Sequence, residues 1–379
     1  MLNRSLISYE STCMDLTPEL ENLRQLLNND DESTIRLGVQ LASGMDVPFA
    51  LFPDLTNTNF KKFLCLEAEF IEPLKFVTDL NINSLDIQEL PVSIGQLPQL
   101  TTIKVYSNQL QGLPSNLGVL KNLTRLHIDS NRLKSLQGLE ELSNLQHLYA
   151  HFNRLTDVKE VGTLSNLRSL HLSRNYIQQL PQNFEQLTQL QVCHISQNQL
   201  IRLPDFIGQW RSMEELNMDT NQIFEVSPQI GRLQKLQRLY LSNNRLETFP
   251  EAITQLKNLK ELHINFNNIS ELPPAIEKMQ QLTWLNLGEN KFKTIPKNIG
   301  ALKNLERLDL GDNRLESLPE SLTTLPKLTH LRLHSNQLFS LPKGIENMTQ
   351  LKLLTLLSNN LSRIEKATLT QKLPDTEIT

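Results

Sequence analysis

Histidine is the residue type of this sequence that offers the most chemistry. Its imidazole ring exchanges a proton near neutral pH, ligates metals and packs as an amphipathic ring. Five of the eight histidines fall between residues 127 and 194, where such a group could bind zinc or copper, act as acid or base, or contact a partner. The full set is His127, His147, His151, His171, His194, His263, His330 and His334.

The elements that must position these histidines follow from a repeat. The pattern LxxLxLxxNxL begins at Leu100 and is found twelve times, the last at Leu351, at intervals of 22 or 23 residues. Its alternating leucines have the two-residue period of a strand with one buried face. One short strand cannot bury that face alone, so successive strands must stack in parallel around a shared core. The second half of most repeats reads LPxxIxxL and is expected to return along the outside as a short helical or extended turn.

These motifs resemble the leucine-rich-repeat family. The leucine–proline form is similar to its intracellular Scribble and Ras-suppressor type, and also to many bacterial leucine-rich-repeat proteins. The resemblance implies an α/β fold, namely a curved horseshoe-shaped solenoid with a concave parallel β-sheet and convex short helical or 3-10 turns. Because the outer arm is wider than the strands, the same curvature is expected from the spacing itself.

Both ends of the repeat array carry atypical sequence, as is needed to cover an exposed apolar face. Residues 1–76 are predicted to form an α-helical N-terminal cap or a small docking domain. Within them, one helix begins at Pro18, a second is capped by Ser33 and ends at Gly44, and an apolar-rich stretch covers 59–76.

The remaining boundaries follow from where the pattern starts and stops. Residues 77–99 read as an atypical first repeat, with Leu85 in the place of the asparagine. The twelve full repeats occupy 100–364, and 365–379 are predicted to form a C-terminal cap. This cap is expected to contain a helix from Lys366 and a strand around 373–378.

An asparagine stands at the ninth position of every full repeat, where we predict a structural role. A turn buried at this point leaves backbone N–H and C=O groups unpaired, and an amide side chain can both donate to and accept from them. The series consists of Asn108, Asn131, Asn153, Asn175, Asn198, Asn221, Asn244, Asn267, Asn290, Asn313, Asn336 and Asn359.

Five positions of each LxxLxLxxN unit point away from the core, and all eight histidines fall on them, together with several aromatic residues. Rigid rings are common anchors of protein interfaces, although exposed strand positions also favour aromatic side chains whatever the partner. We predict that a protein partner binds these outward side chains: His127, His147, Tyr149, His151, Phe152, His171, Arg174, His194, Tyr240, His263, Phe266, Trp284, Asp309, His330, Arg332 and His334.

The outward positions also predict a charge polarity along the concave face. Basic residues dominate the repeats that begin at 100 to 190, and acidic residues dominate those that begin at 213 to 351. Such a face would orient a dipolar partner. Because several histidines ordinarily titrate near pH 6.5, binding is expected to change between about pH 5.5 and 7.5.

The sequence contains none of the common enzyme motifs that we considered, namely a phosphate-binding loop, GxSxG, HExxH and CxxC. An open sheet presents histidines that diverge, whereas a metal site needs three or four convergent ligands. We therefore expect no catalytic residue, no cofactor and no bound metal.

Composition narrows the class of partner and the compartment. A net charge of -4 argues against nucleic acid. No long apolar run or secretory leader is apparent, which argues against a membrane, and the odd number of cysteines, three, suits a reducing compartment. The sequence thus predicts a cytoplasmic, non-enzymatic scaffold of protein–protein interaction, for example in signalling. The alternatives are a regulatory subunit of a small GTPase or phosphatase pathway, acting through the convex face or the N-terminal helices, and a metal-dependent activity at the histidine cluster.

Overall fold

The computed structural model describes residues 17–45 and 53–379 of the chain. The α-helices in these residues are α1 (Pro18–Leu27), α2 (Glu32–Gly44), α3 (Asn59–Glu67) and α4 (Arg363–Lys372). The strands are two or three residues long: β1 (Asp79–Asn81), β2 (Thr102–Lys104), β3 (Arg125–His127), β4 (His147–Tyr149), β5 (Ser169–His171), β6 (Val192–His194), β7 (Arg202–Leu203), β8 (Glu215–Asn217), β9 (Glu225–Val226), β10 (Arg238–Tyr240), β11 (Glu261–His263), β12 (Trp284–Asn286), β13 (Arg307–Asp309), β14 (His330–Arg332), β15 (Leu353–Thr355) and β16 (Glu377–Ile378).

One parallel sheet of 14 strands runs the length of the described solenoid in chain order, and β7 and β9 pair separately. Each strand pairs with the equivalent strand of the next repeat, so that Leu126 lies beside Leu148, and Leu148 beside Leu170. The predicted open solenoid with a parallel sheet is confirmed. Its register places equal repeat positions side by side in columns.

Short 3-10 helices return the chain outside the sheet, as the LPxxIxxL half predicts. Proline caps many of them at its restricted φ, for example Pro181 at -65° and Pro296 at -66°. Their ranges are Val92–Gln96, Leu117–Val119, Lys159–Thr163, Gln182–Gln186, Asp205–Gln209, Pro228–Arg232, Glu251–Gln255, Pro274–Lys278, Lys297–Ala301, Glu320–Thr324 and Ile345–Asn347. The repeat from Leu123 to Asn144 replaces this element by a turn at Gly138, whose φ of 99° favours glycine. Two further 3-10 helices, Pro53–Thr56 and Glu72–Leu74, precede the first strand.

The core is a continuous stack of the leucine positions, nearly all of them fully buried. Cys193 occupies one of these positions and is also fully buried, which raises the pKa of its thiol to about 12. Trp210 fills the outer side of the stack, and its Nε1 donates to the carbonyl of Phe184 at 2.8 Å.

The asparagine series forms a ladder that joins neighbouring repeats. The Nδ2 of Asn131 donates to the carbonyls of Ile128 and Asp129 in its own repeat and to that of Val105 in the preceding repeat, at 3.0–3.2 Å. Its Oδ1 accepts from the amide of Leu110 at 3.0 Å. The same pattern recurs as far as Asn359. The predicted structural role is confirmed, and each amide satisfies backbone groups of two repeats.

The residue before each asparagine has a left-handed backbone conformation, which the sequence pattern does not predict. Its φ lies between 50° and 57° in all twelve full repeats, although the side chain ranges from serine to phenylalanine and arginine. Left-handed backbone costs about 1–2 kcal/mol for a residue with a Cβ, so the ladder and the core must hold it in place. The side chain of this residue, position eight of the LxxLxLxxN unit, therefore lies outside the strand at the rim of the sheet.

The helices at the N-terminal end cover the first strand of the sheet. Phe63, Leu64 and Leu66 of α3 are buried in the common core, and the Oγ of Ser93 donates to the carbonyl of Leu66 at 2.5 Å. The interpretation of 59–76 as a mostly helical stretch was too long, because α3 ends at Glu67 and Glu69 adopts a φ of 53°. The fold places Leu37 and Leu41 of α2 at the surface.

Two predicted helix starts differ from the structure because another residue provides the cap. Asp31, rather than Ser33, caps α2 by accepting from the amide of Thr34 at 2.8 Å. Ser362 caps α4, which therefore begins at Arg363 instead of Lys366. The final strand is shorter than the expected 373–378, since β16 spans only Glu377–Ile378 beside β15.

No helix among residues 17–45 and 53–379 combines the length and the apolar character that crossing a lipid bilayer requires.

Replacement of one ladder amide tests its contribution to stability. Asn131→Ala leaves the carbonyls of Val105 and Ile128 and the amide of Leu110 without this partner, and we expect a loss of about 1–3 kcal/mol in the free energy of unfolding by urea. The neighbouring Arg132→Ala removes an exposed side chain and serves as the control, with an expected change below about 0.5 kcal/mol. Equal stabilities of the two variants would contradict the role assigned to the ladder.

Candidate functional site

The strand register turns the outward side chains into columns across the concave face. Positions are counted from the first leucine of each LxxLxLxxN unit, so that positions three to five form the strand and positions three and five face the concave side. Position five brings His127, Tyr149, His171 and His194 onto four neighbouring strands, as the sequence predicted. We call these four side chains the N-terminal ring cluster.

The N-terminal ring cluster is a stack whose rings contact one another. The ring centroids of His127 and Tyr149 lie 4.2 Å apart and those of Tyr149 and His171 lie 4.6 Å apart, with interplanar angles of 7° and 13°. His194 meets His171 edge to face at 4.7 Å and 86°. Histidines therefore cover both faces of the Tyr149 ring. Its edge, which carries the hydroxyl, remains available to contact a ligand on the concave face.

His171 stands in the middle of this cluster and is its most strongly perturbed base. Burial, together with the neighbouring His194 and His151, lowers its pKa to about 4. Its Nε2 is 2.8 Å from the Oγ of Ser169. A serine next to a histidine suggests nucleophilic chemistry, but a base with a pKa near 4 is a weak proton acceptor at pH 7. The pair is better suited to fixing the ring than to activating the hydroxyl.

The predicted residues beside the cluster are placed around it. His147 lies at position three of β4, where burial and then the charges of Arg125 and Arg168 lower its pKa. His151 lies edge to face with Phe152 at 5.5 Å, and its Nε2 is 3.7 Å from Asp129. At the rim, the guanidinium of Arg174 covers the ring of Phe152 at 4.3 Å.

Glu215 contacts His194 from the neighbouring strand, and it was not among the residues predicted to bind a partner. Its Oε1 lies 2.8 Å from the Nε2 of His194, and its Oε2 accepts from the Nε of Arg238 at 2.8 Å. Hydrogen bonds from Arg238 and His194 keep the pKa of Glu215 below its usual value, although burial opposes this. The available signal was that the repeat places Glu215 on the strand between those of His194 and Arg238, but Glu215 was counted only among the acidic residues of the later repeats.

A second group of rings lies further along the face. The centroids of Tyr240 and His263 are 5.0 Å apart, and His263 meets Trp284 edge to face at 4.3 Å. We call these three residues the C-terminal ring cluster. The Tyr240 hydroxyl donates to Glu261 at 3.0 Å, and Arg307 covers Trp284 at 5.0 Å. His263 is enclosed so closely that its buried Nε2 has no hydrogen-bond partner among the described residues, and burial lowers its pKa.

Phe266 is another residue predicted to bind the partner, and it lies apart from the C-terminal ring cluster. It occupies position eight, where a φ of 55° directs it to the rim, and its side chain is 47% exposed. No ring contact joins it to the other three in the described part of the chain. The sequence could not show this, because the left-handed turn is imposed by the repeat.

The last predicted residues form ion pairs with their neighbours. Arg332 Nη1 contacts Asp309 at 3.2 Å, and His334 Nε2 contacts Asp312 at 3.1 Å. Slight burial and then the positive charges of Arg307, Arg332 and Lys352 lower the pKa of His330. The acidic half of the face is thus partly neutralised, and the simple basic-to-acidic polarity predicted from counts is weaker in the structure.

The histidine pKa values also revise the expected pH response. They are lowered from their ordinary value at His127, His147, His171, His263 and His330, in each case chiefly by burial. These five rings are therefore neutral at pH 7. A response carried by them is therefore shifted to lower pH than the ordinary histidine pKa of 6.5 would give.

The site thus offers neutral rings, exposed arginines and shared ion pairs rather than a converging set of ligands. Within residues 17–45 and 53–379, no group of three or more histidine, cysteine or acidic residues could hold a metal ion. What the arrangement can do is contact: ring edges and carboxylates for hydrogen bonds, and Trp284 and Phe152 for apolar area.

Family models and solved structures agree on what the chain resembles. A model described as a leucine-rich repeat region matches residues 59–174 and 275–373, and two further leucine-rich-repeat models match 211–269 and 166–187. A leucine-rich-repeat protein of Leptospira interrogans is 31% identical, with a TM-score of 0.57, over 83% of this chain and 97% of its own. No curated protein sequence matches.

Two more distant structures show the fold alone. An internalin, InlF, of Listeria monocytogenes is 22% identical, with a TM-score of 0.74, over 94% of this chain and 96% of its own. The plant peptide hormone receptor RGFR1 in complex with RGF2 is 23% identical, with a TM-score of 0.58, over 82% of this chain and 64% of its own.

Acid unfolding tests the environment of His171. In the unfolded chain this ring takes up a proton near pH 6.5, whereas in the folded chain it does so only near pH 4. Its contribution to stability is therefore complete above about pH 6.5 and is lost as the pH falls towards 4. We expect the wild-type chain to lose about 1–2 kcal/mol more than His171→Asn between pH 7 and 4.5, after allowing for partial exposure.

The measurement is the urea unfolding free energy of both proteins at several pH values. The difference at pH 7 reports the lost stacking, so only its change with pH concerns the proton. Burial raises the pKa of the Asp219 carboxyl to about 6, so acidification affects stability through this group with the opposite sign. Asp219 is present in both proteins, and its contribution cancels when they are compared. A wild-type to variant difference that is the same at pH 7 and 4.5 would show that His171 titrates normally.

Proposed function

Because this chain belongs to the leucine-rich-repeat family, we propose that it is a non-enzymatic interaction protein that binds a protein partner on its concave face. The observation that carries this proposal is a row of side chains along the concave face that contact one another in two runs, one from His127 to Arg238 and one from Tyr240 to Arg307. Fold similarity alone would leave the face unspecified.

The row suits binding because its side chains are already ordered. Tyr149 is held between two rings, Glu215 between His194 and Arg238, and Trp284 between His263 and Arg307. Binding costs about 0.5–1.5 kcal/mol for each flexible side chain that must be immobilised. Since these side chains have lost that freedom on folding, more of the contact energy is available for affinity.

The two ring clusters favour different contacts. In the N-terminal ring cluster the stacked faces contact each other, so its edges favour hydrogen bonds to polar groups of the partner. In the C-terminal ring cluster, Trp284 meets His263 edge to face and lies next to a cleft of about 260 Å³ that Arg307, His330 and Arg332 also line. This end of the face favours an inserted side chain, as at interface hot spots.

The comparisons support a protein ligand in general terms. The structural neighbour named as a plant peptide hormone receptor is in complex with RGF2. At 23% identity this neighbour shares the fold, and we carry over only the class of ligand, a protein or peptide. The identity of this chain's partner is set by its own outward side chains.

A specific observation favours a second candidate, a regulatory subunit that docks through its N-terminal helices. Leu37 and Leu41 lie four residues apart in α2 and are 49% and 45% exposed. Residues at this spacing share one helix face. Such a face could contact a signalling protein, for example in a small GTPase or phosphatase pathway.

We further propose that the protein works in the cytoplasm. Cys65 and Cys193 are both free and buried, and burial raises the pKa of each thiol to about 12. Unpaired thiols are common in reducing compartments, and thiols of such high pKa react slowly.

Two double variants distinguish the faces. We expect Tyr149→Ala with Trp284→Ala to weaken binding of a native partner by more than about 1 kcal/mol, or about fivefold, because each ring contributes ordered contact area. The partner is recovered by cross-linking in the native cell and its affinity for the purified proteins is measured by titration calorimetry.

The control is Phe224→Ala with Phe339→Ala, which removes two exposed aromatic side chains away from the concave columns. Urea unfolding checks that all variants are folded at the temperature of the assay. If the concave variant binds normally while Leu37→Ser with Leu41→Ser does not, the N-terminal helices are the binding surface and the leading proposal is wrong.

A further inference from the structure

A strip of positive charge follows one flank of the solenoid, outside the concave face. It lies in six successive turns, each running from the last residue of a 3-10 helix to the residue before the next strand: 209–214, 232–237, 255–260, 278–283, 301–306 and 324–329. These turns contain two acidic residues, Glu214 and Glu306. Their eight basic residues, which we call the basic flank, are Arg211, Arg232, Lys235, Lys257, Lys260, Lys278, Lys303 and Lys327.

The basic flank stands out against the charge of the chain as a whole. The sequence has 37 basic and 41 acidic residues. Without the eight basic and two acidic residues of the six turns, 29 basic and 39 acidic residues remain. The six turns thus carry an excess of positive charge on a protein whose remaining surface is clearly negative. Charge concentrated in this way raises the local potential and attracts groups of opposite sign.

The charges of the basic flank are not neutralised by the protein itself. All eight side chains are exposed, and none of them forms an ion pair with a carboxylate of the residues that the structure describes. Where their ammonium groups have contacts, these are neutral oxygens: Lys260 with Gln237 at 3.1 Å, Lys303 with the Thr324 carbonyl at 3.0 Å and Lys327 with Asn304 at 2.8 Å. On the concave face, by contrast, Glu215, Asp309 and Asp312 each have a cationic or histidine partner.

The turns also enclose room for a ligand between neighbouring repeats. One cleft of about 760 Å³ is lined by Lys257 and Lys278, with Gln234, Gln255, Gln280 and Gln281 between them. A second, of about 280 Å³, has Lys235 and Lys260 on its wall and shares Gln281 with the first. The two clefts adjoin at Gln281 and together hold four lysines among side-chain amides. Glu214 also lines the second cleft, so one carboxylate stands beside its two lysines.

We propose that the basic flank binds an extended acidic segment of a protein. Carboxylates at alternate residues of an extended chain are about 6.8 Å apart. The lysines recur once or twice in each repeat, and neighbouring repeats are about 4.8 Å apart at the sheet and further apart towards the convex side. The glutamine amides between them can donate to and accept from the peptide groups of such a segment.

The same residues disfavour a nucleic acid as the ligand. Single-stranded nucleic acid is bound where bases stack on exposed aromatic rings. The aromatic residue of the six turns is Trp210, and it is fully buried. The flank therefore provides charge and amide contacts without a stacking surface. This inference does not depend on the concave-face proposal, because no concave ring takes part.

A direct binding assay tests the basic flank on the full chain. The probe is a fluorescein-labelled peptide of about twelve residues with glutamate at every second position, whose extended length is about 40 Å. Anisotropy is measured at about 50 mM salt and again at about 300 mM, where exposed charges are strongly screened. We expect saturable binding at the lower salt concentration that weakens at the higher one.

Matched variants locate the binding. Lys235→Gln, Lys257→Gln, Lys278→Gln and Lys303→Gln together are expected to weaken peptide binding about tenfold, since four exposed ion pairs are lost. Lys134→Gln, Lys291→Gln, Lys293→Gln and Lys343→Gln together remove the same charge from exposed positions outside the six turns, and should change binding less than about twofold.

Three results would overturn the inference. The first is no binding to the wild-type chain at about 1 mM peptide. The second is an equal loss in the two quadruple variants, which would mean general charge attraction. The third is tighter binding of an oligodeoxythymidylate of similar length, lost in the flank variant, which would assign the surface to nucleic acid.

Discussion

The asparagine ladder is the interaction on which the rest of this structure depends. Each asparagine side chain donates hydrogen bonds to backbone carbonyls of two successive repeats and accepts one from a backbone N–H of the preceding repeat. The turn after every strand is therefore the same. An unpaired buried peptide group would cost about 1–3 kcal/mol at each turn. By fixing the turn, the ladder fixes the register, and the register places position three beside position three and position five beside position five along the whole sheet. The repeated core thus places the outward side chains in ordered columns, and the residue types at these outward positions differ from repeat to repeat.

Two surfaces of different chemistry are built on this frame. On the concave side, rings and ions contact one another: Tyr149 stacks between histidines, and Glu215 joins His194 to Arg238. On the flank, eight cations lack carboxylate partners within the described chain, and four of them line clefts together with side-chain amides. Ordered groups favour affinity and specificity, whereas unpaired exposed charges favour attraction at a distance. A partner that contacts the concave face with a folded part could place an acidic segment on the flank, since both surfaces occur in the repeats from 190 to 327.

Periodic features were predictable from the sequence because one cause acts in every repeat. The strand positions, the outer 3-10 helices and the role of Asn131 follow from spacing alone. Features that depend on the geometry between repeats were not predictable. Phe266 lies at the rim, apart from the C-terminal ring cluster, because position eight is left-handed. The five lowered histidine pKa values come from burial, which a pattern does not reveal. Glu215 was counted as a charge, although its partners on both sides make it a link. The helix caps were misplaced because Asp31 and Ser362 compete better for the first free amides.

The central claim is that the concave face is the binding surface, and the eight histidines are natural probes of it. All eight lie on outward positions of the repeats, and several, including His151 and His334, are about one-third exposed. Labelling by diethyl pyrocarbonate, read by mass spectrometry with and without a saturating native partner, reports their accessibility directly. We predict that the complex protects histidines between 127 and 334, while the overall fold stays unchanged. Histidine labelling that is identical in the free protein and in the saturated complex would contradict the account.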